Sequence, residues 1–183
     1  MMCLVISVAG CDDSRSSERV KAQLTQKMLG AQLGEERKVD EGVFMTMYRS
    51  QAIAPLRDGW QLARSTKGGF SIELPLAFNE FRIRAYAEDG VAIFNDSIGA
   101  KSPGLLSWMA TCMTRADGKL DPKATTLVES IQPMGSPVRA WQRTIPGNGR
   151  MCIVIVEAQG TDPLPGDADI QRFLHSFKRT AAF

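Results

Sequence analysis

The residues of this chain with the most distinctive chemistry are its four cysteines and its one histidine. Cys3 and Cys11 belong to the N-terminal segment, which leaves Cys112 and Cys152. An even number of remaining cysteines favours a single disulfide in an oxidising compartment. The alternative is a pair of buried free thiols, because cysteine often serves as a small core residue. Sequence spacing does not decide between them, since a disulfide requires its two Cα atoms within about 7 Å.

The sequence offers little for catalysis or metal binding. His175, the only histidine, follows Leu174 on a predicted final helix, which turns it off the apolar face and towards solvent. A cysteine hydrolase needs a thiolate beside a base, and zinc sites need several Cys or His ligands. The carboxylate pairs occur in linker or turn contexts: Asp12/Asp13, Glu35/Glu36 and Glu88/Asp89. We therefore assign no catalytic, cofactor-binding or metal-ligating residue.

The residues around Cys11 are typical of a site at which a chain is cleaved and modified. Val8-Ala9-Gly10-Cys11 follows an apolar run and resembles the lipobox of bacterial lipoproteins, in which a cysteine behind small residues is lipidated. The resemblance implies that residues 1–10 form a signal peptide and that Cys11 carries acyl chains such as palmitate. This segment is short and lacks Lys and Arg, so a complete signal peptide would begin upstream. The alternative is a buried N-terminal strand over Cys3–Ile6.

A lipidated Cys11 would link the protein to a membrane through lipid alone. The apolar run is far below the ~20 residues of a membrane-spanning helix, whereas two or more acyl chains anchor a protein stably. The sequence therefore predicts a lipid anchor on the periplasmic side of a bacterial cell membrane. Residues 11–17 would form a tether to the folded part.

The composition is that of one ordinary globular domain. Of the 183 residues, 44% are hydrophobic and 23% are charged. The net charge of +2 gives no reason to expect nucleic-acid binding, because nucleic-acid binders concentrate basic charge. We expect the pairs Arg82/Arg84 and Arg37/Lys38 to be solvated faces. The predicted organisation is a signal peptide over 1–10, a tether over 11–17 and a single globular domain over 18–183.

Apolar spacing predicts three helices. The first runs from Glu18 to Leu33, and either packs on the domain or lies on anionic lipid headgroups. The second begins at Asp121-Pro122 and places Leu127, Val128 and Ile131 on one face. The third is capped by Asp167 or Asp169, with its apolar stripe at helical spacing: Ile170, Phe173, Leu174 and Phe177.

Alternation of apolar and polar residues predicts several strands. Phe70–Leu74 and Phe81–Tyr86 alternate strictly, and the turn Asp89-Gly90 then favours a hairpin into Val91–Phe94. Two further strands, Val138–Ile145 and Met151–Ala158, flank a turn rich in Gly. Within the latter, Ile153-Val154-Ile155-Val156 is apolar on both faces, which is typical of a central strand. Gly42–Tyr48 also fits a strand, whereas Leu105–Thr114 fits either a strand or a helix.

From Trp60 onward the layout resembles the PsbP-like family, which includes bacterial periplasmic lipoproteins of the DcrB type. The residues that carry the resemblance are Gly69-Phe70-Ser71-Ile72-Glu73-Leu74-Pro75, the step at Leu105–Ile131 and Ile170-Gln171-Arg172-Phe173-Leu174-His175-Ser176-Phe177-Lys178. The resemblance covers about 60–183 and favours a strand at Leu105–Thr114. It implies an α+β fold with an antiparallel sheet flanked by helices, an α/β/α sandwich. The family has no shared catalytic motif, so no functional residue carries over.

The sequence therefore predicts a non-catalytic binding or assembly module of the cell envelope, held by its lipid anchor and bound to an envelope protein partner. It predicts no cofactor and no nucleic-acid partner. One alternative is an extracytoplasmic enzyme whose thiol or carboxylate site lacks a recognisable motif. The other is a soluble cytoplasmic adaptor in which Met1–Gly10 is a folded strand.

Overall fold

The computed structural model describes residues 33–48, 52–56, 58–101, 106–120, 130–134, 138–159 and 166–180. The chain divides into two compact units, Met1–Ala31 and Gln32–Phe183. Every described residue belongs to the second unit. Cys11, the predicted signal peptide and tether, the predicted helix from Glu18, and the start of the helix predicted at Asp121 lie outside the described residues.

Most of the described chain forms two antiparallel sheets. The large sheet has eight strands in the order β1-β2-β6-β7-β8-β11-β10-β9. These strands are β1 (Glu36–Asp40), β2 (Val43–Tyr48), β6 (Asn79–Tyr86), β7 (Ala92–Lys101), β8 (Ser107–Arg115), β9 (Ser130–Met134), β10 (Val138–Gly147) and β11 (Arg150–Gln159). The small sheet has the order β12-β5-β4-β3. Its strands are β3 (Ala52–Pro55), β4 (Gln61–Ser65), β5 (Phe70–Leu74) and β12 (Lys178–Arg179).

The predicted α+β class, with helices flanking one sheet in an α/β/α sandwich, is wrong. The protein is mostly β with two antiparallel sheets, and the described residues contain one helix, α1 (Asp167–Ser176). The physical reason is that the second layer of the protein is the four-stranded small sheet. Only Phe70–Leu74 of the small sheet shows an alternation that the sequence makes visible; β4 pairs with this strand, and β3 pairs with β4. Strands thus supply much of the cover that we expected from helices.

Several local predictions are confirmed. Gly90, with a φ of +77°, closes the turn between β6 and β7, and its N–H donates to the Ala87 carbonyl over 2.9 Å. β11 lies between β8 and β10, as its apolar sequence predicts. The ambiguous segment at Leu105–Thr114 contains β8, a strand. One helix prediction fails at its end, because Ile131 lies in β9.

The core fills the space between the large sheet, the small sheet and α1. Phe70, Ile72 and Leu74 from β5 face Ala110 and Val154 of the large sheet in one buried cluster. All four residues of the predicted apolar stripe are buried: Ile170, Phe173 and Leu174 on α1, and Phe177 directly after its end. Burying one such side chain contributes about 1.5–3 kcal/mol, so this cluster holds the two sheets together.

Polar contacts fix α1 at the edge of β5. The Ser176 hydroxyl accepts the Glu73 N–H at 3.0 Å and donates to the Phe173 carbonyl at 2.9 Å. Arg143 on β10 donates to the Leu174 carbonyl at 2.9 Å, satisfying one of the free carbonyls at the helix end. The helix is therefore tied to both sheets by hydrogen bonds as well as by its apolar face.

Candidate functional site

Cys112 and Cys152 do not form a common site with His175, although the sequence singled out all three residues. The Sγ atoms of Cys112 and Cys152 are 2.00 Å apart, and the two residues face each other in the register of β8 and β11. Both are almost fully buried, at 1% and 0% exposed. His175 is exposed on α1, and its Nε2 lies 3.2 Å from Gln171 Oε1. Neither cysteine is therefore a thiol nucleophile for this histidine.

The face of the large sheet that carries the core becomes polar towards β1. The register aligns Thr46, Arg82, Asp96 and Cys112 across β2, β6, β7 and β8. Because Cys112 belongs to the core cluster, the other three residues share its face. Period-two spacing adds the remaining members of what we call the charged face, made of Glu36, Phe44, Thr46, Tyr48, Glu80, Arg82, Arg84, Tyr86, Phe94 and Asp96.

A buried ion pair forms the inner part of the charged face. Arg82 donates to both oxygens of Asp96, with Nε to Oδ1 at 2.7 Å and Nη2 to Oδ2 at 2.9 Å. The Asp96 side chain is only 4% exposed. The guanidinium also lies 5.0 Å from the centre of the Phe94 ring. The hydrogen bond with Asp96 raises the pKa of Arg82, so the guanidinium stays charged and is a fixed element of the sheet.

Glu80 is the unusual carboxyl of the charged face. It is 3% exposed, and its Oε1 atom has no hydrogen-bond partner. Burial raises the pKa of Glu80, and the charge of Asp96 adds to that shift, while hydrogen bonding from the Ser65 hydroxyl and the Thr66 N–H opposes it. Burial likewise raises the pKa of Tyr48, the register neighbour of Glu80 on β2. The neutral form of Glu80 is thus favoured by its surroundings.

Glu80 and Asp96 are the converging carboxylates that an enzyme alternative would require. General acid–base catalysis needs a carboxyl group within hydrogen-bond reach of the substrate. Both residues are only 3% exposed, and Asp96 is fully engaged by Arg82. Their geometry suits a structural role inside the sheet better than a role in catalysis.

The outer part of the charged face centres on Arg84. Its Nε donates to Glu36 Oε1 at 2.9 Å and its Nη2 to Oε2 at 2.6 Å, while Nη1 donates to the Tyr86 hydroxyl. The guanidinium carbon lies 4.1 Å from the centre of the Phe44 ring and 5.2 Å from that of Tyr86. Two aromatic rings and a carboxylate thus hold the guanidinium in one orientation.

Exposure distinguishes the outer pair from the inner one. The Glu36 side chain is 42% exposed and Tyr86 is 49% exposed, whereas Arg84 is 20% exposed. The hydrogen bond with Arg84 lowers the pKa of Glu36 and raises that of Arg84. Arginine and tyrosine are the side chains most enriched at binding hot spots. The outer charged face therefore carries side chains that suit contact with a partner.

The sequence placed Arg82 and Arg84 on a solvated face and missed this arrangement. The signal was present in part, because the spacing of Arg82 and Arg84 puts both on one side of a strand. The partners Glu36 and Asp96 come from other strands, and nothing in the sequence states which residues those strands align. Without the register, the two arginines resemble any pair of surface charges.

Metal sites and membrane-spanning helices are both absent from the part of the chain that the structure describes. Among the described residues, no group of three or more His, Cys, Asp or Glu side chains is arranged to hold a metal ion. In the same part of the chain, no helix has both the length and the apolar character needed to cross a membrane.

Comparison with known proteins adds no family assignment. The chain matches no protein-family profile, and neither the curated proteins nor the solved structures contain a significant match to it. The resemblance to PsbP-like lipoproteins therefore stays a prediction.

Proposed function

We propose that this protein is a lipid-anchored module of the bacterial cell envelope, facing the periplasm, that binds an envelope protein without catalysing a reaction. The observation that carries the proposal is the sequence Val8-Ala9-Gly10-Cys11, with Cys11 as the lipidation site. Acyl chains buried in a bilayer each add about 0.8 kcal/mol per CH₂ group, which suffices for stable anchoring when two or more are present.

Two features of the folded part support this proposal. The bonded pair Cys112–Cys152 is the kind of crosslink that persists in oxidising compartments such as the periplasm. The outer charged face offers Arg84 and Tyr86 to a partner, while the buried carboxyls Glu80 and Asp96 are poorly placed to reach a substrate. Both features favour binding over chemistry.

The location is tested by expressing the chain in bacteria with a complete signal peptide ahead of Cys11 and separating membranes from soluble protein. We expect the wild-type protein in the membrane fraction, with an intact mass that includes the lipid. Cys11→Ser should move the protein to the soluble fraction, and globomycin should block processing of the wild type. Cys3→Ser is the matched control, because it changes a cysteine that would be cleaved off together with the signal peptide. A Cys11→Ser protein that stayed in the membrane with unaltered mass would refute the proposal.

A further inference from the structure

We propose that Arg84 is the docking site for a carboxylate of the envelope partner, and that Glu36 occupies this site in the free protein as an internal substitute. The inference rests on the proposed function and names the chemistry of the partner. Glu36 and Arg84 are 48 residues apart in sequence, yet they form a bidentate ion pair at the edge of the large sheet, with one hydrogen bond to each carboxylate oxygen. An acidic segment of a partner protein would take the place of Glu36.

The first argument is that Arg84 is preorganised. All three of its nitrogens are engaged, and its guanidinium is flanked by the rings of Phe44 and Tyr86. A planar guanidinium held in this way presents two parallel N–H donors that match any carboxylate. Binding costs less when the receiving side chain is already fixed. A partner carboxylate would therefore find the donors in place.

The second argument is that Glu36 is weakly held. It lies on β1, the edge strand of the large sheet, which has a neighbour on one side only. Its carboxylate is 42% exposed, and exposed ion pairs contribute little because water and salt compete with them. An exposed cation is nearby, because Lys38 lies two residues after Glu36 on the same strand, opposite Phe44.

The inner pair Arg82–Asp96 shows what a permanent ion pair looks like in the same sheet. It has the same two-point geometry, but Asp96 is on the interior strand β7 and 4% exposed. No incoming carboxylate can displace it without opening the core. The two pairs thus differ in the exposure of the carboxylate, and of the two arginines Arg84 is the one whose partner can be exchanged.

The test measures binding of labelled peptides to the full chain by fluorescence anisotropy at low salt. The probes are a glutamate hexapeptide with an amidated C-terminus, a glycine hexapeptide with a free C-terminal carboxylate, and an amidated glutamine hexapeptide as the uncharged reference. If Glu36 fills the site about nine-tenths of the time, Glu36→Gln should tighten carboxylate binding about tenfold, because the apparent affinity scales with the free fraction of the site. The first two probes distinguish a side-chain carboxylate from a chain terminus.

The matched control is Glu35→Gln. Glu35 precedes Glu36 in the sequence and pairs with Arg37, so this variant removes the same charge from a different ion pair. It should leave affinity nearly unchanged. Adding Arg84→Gln to Glu36→Gln should abolish the gain, and adding Arg84→Lys should reduce it, since lysine lacks the two-point fork. Circular dichroism verifies that each variant is folded.

Equal gains from Glu35→Gln and Glu36→Gln would overturn the inference, as would carboxylate binding that survives Arg84→Gln or a Glu36→Gln protein that binds neither carboxylate probe. The membrane fractionation of the Cys11→Ser protein is independent of these results. A failure of peptide binding alone refutes the docking site, and a failure of membrane attachment alone refutes the proposed location.

Discussion

At the scale of single residues, Glu80 and Asp96 show how neighbours decide the fate of a buried carboxyl. Asp96 receives two hydrogen bonds from Arg82, so both of its carboxylate oxygens have a partner within the sheet. Glu80, two residues before Arg82 on β6, has one oxygen without a partner and a raised pKa. Burial without a full set of hydrogen bonds destabilises the charged form of a carboxyl group, so ionisation of Glu80 makes the protein less stable as the pH rises.

The Glu80 carboxyl should make wild-type stability fall as the pH rises. Its pKa is higher in the folded than in the unfolded chain, so its stabilising contribution is fully present below the unfolded pKa. That contribution is lost as the pH increases through the folded pKa. Glu80→Gln, which resembles the neutral carboxyl, should flatten this part of the profile. Thermal unfolding from pH 4 to 9 measures it.

The exposed residue Glu35 provides the control, because Glu35→Gln should leave the loss of stability at rising pH like that of the wild type. If Glu80→Gln and the wild type lost stability in parallel from pH 4 to 9, Glu80 would not be the responsible group. Four other carboxyl groups have lowered pKa values: Glu36, Asp58, Asp89 and Asp117. Their contributions to stability are lost as the pH falls, so they do not overlap with the loss at rising pH that Glu80 causes.

At the scale of elements, the protein protects the open edges of its sheets. β1 presents the exposed charged residues Glu36, Lys38 and Asp40, and charged edges discourage pairing with another chain. Pro55 lies on β3 and Pro133 on β9, where a residue without an N–H cannot complete a new ladder. Specific contacts are thereby directed to side chains, which agrees with a docking site built on Arg84.

The edge of β5 is closed by α1, and this closure depends on Ser176. Ser176→Ala should destabilise the protein by about 1–2 kcal/mol, since it leaves the Glu73 N–H without its acceptor. Urea unfolding measures the change. His175→Ala alters the adjacent exposed residue and should change stability by less than about 0.5 kcal/mol. Equal effects of the two substitutions would mean that the hydroxyl does not hold the helix to the sheet.

The sequence could predict elements whose signal is local. Phe70–Leu74 alternates along its length, and the stripe of α1 repeats at helical spacing, so the structure confirms both. The failures concern partners that are distant in sequence. Ile131 fits a helical face by spacing, but β9 pairs it with Trp141. The small sheet and the Glu36–Arg84 pair both depend on register, which no local pattern encodes.

At the scale of the whole molecule, the disulfide joins two neighbouring interior strands of the large sheet, β8 and β11. Cys112 and Cys152 are 40 residues apart, and both belong to the cluster that packs against the small sheet and α1. In the chain-entropy model, a crosslink that closes a loop of this length stabilises a protein by about 4 kcal/mol. Such a contribution is a large share of the 5–15 kcal/mol typical of folded domains.

Replacing both cysteines by alanine should therefore lower the free energy of unfolding by about 4 kcal/mol. Urea unfolding of the double variant and of the wild type, without reductant, measures the difference. The single variant Cys3→Ser controls for general effects of cysteine removal and should unfold like the wild type. A double variant as stable as the wild type would show that Cys112 and Cys152 contribute no crosslink in solution.

The attachment of α1 to β5 also constrains the order of folding. Ser176 accepts the Glu73 N–H across 103 residues, while Arg172 donates to Glu73 across 99 residues and to Asp58 across 114. Contacts of such sequence separation form late, so the cover of the core is missing until α1 has been synthesised. Throughout synthesis the earlier strands stay open to chaperones. In the proposed location, this delay keeps the chain in a form that can still be threaded across a membrane.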